Sequence, residues 1–296
     1  MDLQRLKYFV EVARQKHFSR AADVCRVSQP SLSQQIKKLE DELGGRVFER
    51  NREKVTLTPL GQDFLRHAQA ILAEVQSAEE FVQGVQEDHA RTIRIGAIPT
   101  IAPYLLPELL AAVQTRVPSA RFELLESYSE TLTEALMTGR IEFALLSPPT
   151  AVDAECDHLV LVRDELLLTL PEGHPLAAAP DLTADRLADE RMILLENSHC
   201  LAAQAGAFCR ELGLEEHLEI RSSQIDTLLG LVESGFGLTF TPAIATKAHR
   251  HRRVVHRSLG DPPCSREIRL VWLKRKFLTR SQHSVIEAAR HLADGS

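Results

Sequence analysis

The apolar residues of this chain change their period near residue 92, and that change limits what each part can become. After Pro59 no proline occurs until Pro99, and Leu60, Phe64, Ala68, Ile71, Val75, Ala78, Val82 and Val85 follow at steps of 4, 4, 3, 4, 3, 4 and 3. A mean step of about 3.5 residues is the seam of a coiled coil. It predicts one long helix from Thr58-Pro59 that pairs with a second copy of itself; the alternative is a helix packed on its own domain. From Thr92 the pattern is different. Ile93, Ile95 and Ala97 alternate as a strand does, and patterns for a helix (Leu105–Val117), a strand (Arg121–Glu126), a helix (Ser129–Met137) and a strand (Phe143–Ser147) follow. Such alternation predicts a parallel sheet covered by helices on both faces. A second unit of the same kind starts near Glu165, with helices after Cys200 and Ser223 and a strand over Gly237–Thr241. Ser234-Gly235-Phe236-Gly237 reads as a structural turn before that strand. Arg269–Trp272 and a helix from Ser281 return to the first unit, which places two crossovers near residues 163 and 268.

The residues before the long helix read as three short helices and a hairpin. Leu3, Leu6, Phe9, Val10 and Ala13 share one face of a helix over residues 2–15. A second helix runs from Ser19, read as its N-cap, to Val24. The third starts after Ser28, a good N-cap, tolerates Pro30 in its first turn, and stops at Gly44-Gly45. Leu32, Ile36, Leu39 and Leu43 form its apolar face. The opposite side carries Gln29, Ser31, Ser33, Gln34 and Lys37, residue types that bond base edges and phosphates in a major groove. Two helices joined by a tight turn, the second polar at its start, make a helix-turn-helix. Residues 48–57 form a wing with basic residues at its tip. The DNA-contacting set is therefore Ser28, Gln29, Pro30, Ser31, Ser33, Gln34 and Lys37, with Arg50 and Arg52 on the wing. An all-helical packing module with a merely solvated polar face is the plainer alternative.

Charge supports the DNA reading. Residues 1–58 carry twelve Lys and Arg against eight Asp and Glu, so the rest of the chain holds −10 of a net charge of −6. A basic end on an acidic body predicts that one domain meets a polyanion. No run of eighteen apolar residues occurs, and the first residues lack the charged and apolar segments of a secretory signal, so a cytoplasmic protein that does not span a membrane is expected.

Phe18-Ser19-Arg20-Ala21-Ala22, Val27-Ser28-Gln29-Pro30-Ser31-Leu32-Ser33, Ile36-Lys37-Lys38-Leu39-Glu40-Asp41-Glu42-Leu43-Gly44, Phe48-Glu49-Arg50 and Leu57-Thr58-Pro59-Leu60-Gly61 together resemble the LysR-type transcriptional regulators. The resemblance covers the first 60–70 residues almost without gaps. It implies a winged helix-turn-helix over 1–58, a linker and dimerisation helix over 59–90, and a two-lobed α/β effector domain like the periplasmic binding proteins. Its first lobe would hold 91–163 and 269–296, and its second 164–268. The partners implied are a two-fold DNA operator, further copies of the chain in a dimer or tetramer, and RNA polymerase.

Five cysteines are present: Cys25, Cys156, Cys200, Cys209 and Cys264. In a reducing compartment a permanent disulfide framework is not expected. Cys25 reads as packing; Cys156 and Cys264 fall in expected loops. Cys200 and Cys209 lie on one predicted helix, with Asn197 or Ser198 as its cap and Cys200 in the first turn, where free N–H groups and the helix dipole favour a thiolate. Nine residues of helix separate their Cα atoms by about 13–14 Å. A disulfide needs about 5.5–6 Å, so a bridge requires the helix to melt, which Gly206 assists. From the residues alone, two readings stay open: a reactive pair, or two buried structural thiols.

His199-Cys200-Leu201, Gln204-Ala205 and Phe208-Cys209, with Pro103-Tyr104-Leu105-Leu106-Pro107 and Thr241-Pro242-Ala243, resemble the hydrogen-peroxide sensors of the LysR family. By that resemblance Cys200 is the peroxidatic cysteine and Cys209 the resolving one, and Thr100, Ser129, His199 and Arg266 surround the peroxide. Ser129 keeps the hydroxyl of a family threonine and loses its methyl; Asn197-Ser198 stands where an acidic residue and a glycine are familiar. The alternative is a LysR-type regulator that takes a small-molecule co-inducer between the lobes. A thiol peroxidase is disfavoured because such an enzyme has no use for a base-reading helix. No cofactor or metal is expected. The histidines and arginines over residues 249–257 fit no ligand spacing and read as a solvated or phosphate-facing loop.

Overall fold

Asp2 starts the first helix, α1 (Leu3–Gln15), by accepting a hydrogen bond from the Arg5 N–H at 2.9 Å, and Lys16 ends it in a left-handed conformation with φ of 52°. The next helix, α2 (Phe18–Val24), opens one residue earlier than expected. Its cap is His17, not Ser19: the His17 ring nitrogen accepts from the Arg20 N–H, because burying Phe18 in the core draws that residue into the first turn. The third, α3 (Gln29–Leu43), has the expected ends. Ser28 accepts from the Ser31 N–H at 3.3 Å, and Gly44 adopts a φ of 72° that a side chain would resist. Strands β1 (Phe48–Asn51) and β2 (Lys54–Leu57) form the antiparallel wing. Thr58 then starts α4 (Pro59–Gln86), accepting from the Gly61 N–H while its hydroxyl donates to the Arg46 carbonyl.

The computed structural model describes residues 1–51, 54–86, 92–148, 154–180, 182–188, 190–195, 200–211, 221–222, 224–260, 262–274 and 278–294. They fall into two units, Met1–His89 with Met137–Arg140, and Ala90–Leu136 with Ile141–Ser296. The core of the first is Leu6, Phe9, Val12, Leu32, Ile36, Leu39 and Phe48, where Phe9 meets both Phe48 and Phe64 at ring distances of 5.3 Å. That contact modifies the seam reading of α4. Ala68 is buried in this core and Phe64 packs against it, while Leu60 and Ile71 are 42% and 37% exposed. Two seam positions are thus used inside the domain, since the base of α4 must cover α1. The side chains of Val82 and Val85 lie outside the described residues.

The second unit continues with β3 (Thr92–Ala97), α5 (Ala102–Arg116), β4 (Arg121–Glu126), α6 (Ser129–Met137), β5 (Phe143–Leu146), β6 (Cys156–Pro171), β7 (Leu194–Leu195), α7 (Cys200–Glu211), β8 (Arg221–Ser222), α8 (Ile225–Glu233), β9 (Thr239–Pro242), α9 (Ala243–Thr246), β10 (Val254–Arg257), β11 (Ser265–Leu273) and α10 (Arg280–Asp294). The seven-stranded sheet has the order β10-β6-β11-β5-β3-β4, with β9 also on β6. It is mixed, which corrects the expectation of a parallel sheet. Strand β3 runs parallel to β4 and β5, but β11 runs antiparallel to β5 and β6. The cause is the two-lobed plan: β6 carries the chain out of the first lobe over sixteen residues, and β11 brings it back along the same path. These strands pair Val162 with Ile268, with a bulge between Ile268 and Arg269, close to the expected crossovers. Ile93, Ile95, Leu109, Leu132, Phe143 and Val285 are buried in the first lobe. The second lobe closes over Leu166, Leu168 and Leu170 of β6, with Leu201 and Phe208 of α7 and Leu228 and Leu229 of α8.

Four further expectations meet this fold. Cys156 is not in a loop; it opens β6 and is buried. Cys264 precedes β11, packs on the second-lobe core, and its carbonyl accepts from the Leu166 N–H at 2.8 Å. Cys25 packs against the first core, and burial pushes its thiol up. The turn at Ser234-Gly235-Phe236-Gly237 is structural, with Gly235 at a φ of 79°. No helix among the described residues is long and apolar enough to cross a membrane.

Candidate functional site

The polar face of α3 stays open because its apolar face is used up in the core. Ser28, Gln29, Pro30, Ser31, Gln34 and Lys37 are exposed; Ser33 is half-buried and accepts from the Gln29 amide at 2.9 Å. An open groove runs beside them, lined by Ser33, Gln34, Lys37, Gly45 and Arg46 among others. Glu40, which the sequence reading passed over, lies behind this face. Its carboxylate accepts from the Val47 and Phe48 N–H groups and so fixes the start of the wing to α3. Arg50 sits on β1, with its side chain outside the described residues; Arg52 is outside them altogether.

In the second unit three hydroxyl residues follow the three parallel strands: Thr100 after β3, Ser129 after β4 and Ser147 after β5. The carboxyl ends of parallel strands are where open α/β sheets hold ligands. Thr100 is 2% exposed, and Arg266 grips it twice, donating from Nη1 to its Oγ1 at 3.0 Å and from Nη2 to its carbonyl at 3.1 Å. The remaining nitrogen, Nε, donates to the Asp164 carboxylate at 3.0 Å, and Asp164 also accepts from the Ile244 N–H at 3.0 Å. Burial pushes the Asp164 carboxyl up, against the opposing pull of Arg266. The structure thus brings Thr100 and Arg266 together and adds Asp164, which sequence reasoning missed. An acid among the charged residues Arg163, Asp164 and Glu165 of a strand gives no local sign of a partner 102 positions away. Ser129 is placed at the start of α6, and its hydroxyl oxygen is buried with no partner among the described residues.

Helix α7 starts on Cys200 and includes Cys209, two and a half turns on. The side chains of both cysteines, and the whole of Asn197, Ser198 and His199, lie outside the described residues. Leu201, Ala205 and Phe208 bury one side of the helix in the second-lobe core, with Phe208 edge-on to Phe240 at 5.4 Å. Gln204 reaches to the first lobe: its amide nitrogen donates to Ser147 Oγ at 3.1 Å and to the Pro148 carbonyl at 2.7 Å.

Residues 3–62 match the bacterial regulatory helix-turn-helix protein, lysR family, and residues 86–294 match the LysR substrate binding domain. The chain belongs to the LysR family. It is 35% identical over 296 residues to the DNA-binding transcriptional dual regulator OxyR of Escherichia coli K12, covering 100% of this chain and 97% of that protein. A full-length OxyR variant from Pseudomonas aeruginosa has 30% identity and a TM-score of 0.75, with 99% of this chain and 94% of that one covered. A hydrogen-peroxide-bound OxyR mutant from Corynebacterium glutamicum has 28% identity and a TM-score of 0.63, over 99% and 92%.

This LysR-type regulator has one further polar cluster. A cavity of about 290 Å³ opens beside Thr100, walled by Tyr104, Glu126, Gln224, Asp226 and His249. The Tyr104 hydroxyl lies 3.1 Å from His249 Nε2, and burial pushes its pKa up to about 12. The histidine and arginine segment is a solvated loop only in part: Arg250, His251 and Arg253 are exposed in a turn, while others of the set are engaged. Arg252 bridges Asp226 and Glu233, Arg257 donates to the carbonyls of Ala177 and Ala179, and His256 lies on β10 within 2.9 Å of Thr169 Oγ1. Arg252, Arg257 and His256 thus tie α8 and β10 to their neighbours within the lobe. No group of three or more potential metal ligands converges among the described residues.

Proposed function

We propose that this transcriptional regulator senses hydrogen peroxide through Cys200 and reports the event as altered binding to a two-fold DNA operator. The observation that carries the proposal is the placement of Cys200 and Cys209 on one helix, at a separation of about 13–14 Å that a disulfide cannot span. A bond between them therefore converts a local oxidation into a refolding event. The names of the relatives, OxyR among them, and the peroxide bound in one solved neighbour support the choice of oxidant.

The chemistry runs in two steps. The Cys200 thiolate, favoured by the unpaired N–H groups of the first turn of α7, attacks one peroxide oxygen. The O–O bond breaks, hydroxide leaves and takes a proton to become water, and Cys200 becomes a sulfenic acid. The Cys209 thiol then attacks that sulfur and water leaves, which forms the disulfide. Thr100, Ser129, His199 and Arg266 would hold the peroxide. Because Thr100 Oγ1 accepts from Arg266, its own O–H is left to donate to a peroxide oxygen.

Ser28, Gln29, Pro30, Ser31, Ser33, Gln34, Lys37, Arg50 and Arg52 would meet the operator, in a dimer or tetramer that engages RNA polymerase in the cytoplasm. The working boundaries are 1–58, 59–90, 91–163 with 269–296, and 164–268. Stoichiometric peroxide should give a Cys200–Cys209 linkage by mass spectrometry and a changed operator footprint; Cys200→Ser should lose both while still binding DNA. Equal responses in wild type and Cys200→Ser would refute the assignment. The cavity of about 290 Å³ beside Thr100 favours a second reading, a small-molecule co-inducer held between the lobes. That reading gains if the footprint is indifferent to peroxide.

A further inference from the structure

We infer that Gln204 is the latch through which the redox helix holds the first lobe, and that forming the Cys200–Cys209 bond releases it. The redox half of this inference rests on the peroxide reading above; the latch itself rests on contacts. Three polar ties between the lobes stand out among the described residues. Arg266 of β11 grips Thr100, the Tyr104 hydroxyl of α5 meets His249, and Gln204 of α7 meets Ser147 and Pro148 at the end of β5. The first two arise from a strand and a segment outside residues 200–209. Of the three, Gln204 alone lies between the two cysteines.

The donor geometry is unambiguous. A carbonyl has no proton to give, so the atom 2.7 Å from the Pro148 oxygen must be the amide nitrogen, and a flipped amide would set two oxygens against each other. Among the described residues the Gln204 carbonyl oxygen has no hydrogen-bond partner. Ser147 is fully buried, and its strand is paired on both sides, with β3 and β11. Loss of the Gln204 donor is therefore felt at the carboxyl ends of the parallel strands, beside Thr100. Bringing the cysteine Cα atoms from about 13–14 Å to about 6 Å must displace the intervening turn that carries Gln204.

The test uses the full-length chain and Gln204→Met, which keeps the length and removes the donors. In the reduced protein, amide hydrogen exchange should rise in residues 200–211 and also in 143–148. Faster exchange in 200–211 alone, or in neither, overturns the latch whatever the cysteines do. In glutathione buffers the dithiol–disulfide equilibrium should move about tenfold toward the disulfide, since the lost bonds stabilise only the helical form; for this two-electron couple tenfold is about 30 mV. Ser147→Ala should give a smaller shift, and Gln204→Met/Ser147→Ala no more than Gln204→Met alone. Additive shifts, or none, overturn the coupling. If the wild type forms no 200–209 linkage, the peroxide reading and the redox half of the inference fail together, while hydrogen exchange still decides the latch.

Discussion

Two helices carry the proposed chemistry of this protein, and they are held in opposite ways. Helix α3 is closed at both ends, by Ser28 and by Gly44, and drives Leu32, Ile36 and Leu39 into a core shared with the rings of Phe9, Phe18, Phe48 and Phe64. Helix α7 starts on a cysteine, contains Gly206, buries its Leu201, Ala205 and Phe208 side in its own lobe and, among the described residues, meets the other lobe through the Gln204 amide. The contrast teaches what each is suited to. A helix that reads base edges must present fixed side chains, because a displaced donor loses its acceptor. A helix that has to unwind when a bond forms must sit near the low end of local stability.

The comparison can be broken in four ways. Phe208→Ala removes the largest anchor of α7 and should cost about 3–5 kcal/mol of the second unit's stability. It should raise exchange in residues 200–211 and leave operator affinity of the reduced protein close to wild type; an unchanged exchange rate would show that α7 does not depend on its core face. Ile36→Ala should cost the first unit about 2–5 kcal/mol, read in a thermal melt, and weaken DNA binding without altering the thiols' reaction with peroxide. Ser28→Ala should cost about 1 kcal/mol through the lost cap; a much larger loss of operator affinity than of stability would show that Ser28 also touches DNA.

The smallest effect concerns Arg252, which braces α8 through Asp226 and Glu233. Its hydrogen bond holds the Asp226 carboxyl below the usual carboxylate range, and Arg253 does the same for Glu233. Lowered folded pKa values mean stability that is present above the ordinary carboxylate range and lost as pH falls through the lowered values. The difference in melting temperature between wild type and Arg252→Ala should therefore hold steady from pH 7 to 5 and shrink below about pH 4. A difference that grew on acidification would reverse the sign assigned here.

Much of the architecture was legible along the chain. Strand β4 and helix α6 have the limits that alternation and helical spacing predict, and Ser28 and Gly44 end α3 as their side chains require. Helix α2 shows where such reading stops. Ser19 is a good cap by type, yet the burial of Phe18 moves the helix start to His17. The direction of β11 was equally invisible, because an apolar alternation is the same read up or down. Cys156 falls in an expected loop because nothing local marks a sixteen-residue strand that crosses two lobes.

The candidate site divides along the same line. By itself the sequence determined which residue types were available: a pair of thiols nine positions apart, a hydroxyl at Thr100, an arginine at 266, a polar face on α3. The thiols and the polar face follow from composition and from the 3.6-residue period, which acts between near neighbours, whereas Thr100 and Arg266 are marked only by the family resemblance. Only the tertiary structure decided that Arg266 spends its three nitrogens on Thr100 and Asp164, and that Gln204 ties α7 to Ser147 and Pro148. Such bonds join residues 56 to 166 positions apart. Their strength depends on burial, which the fold creates, so no local pattern could encode them.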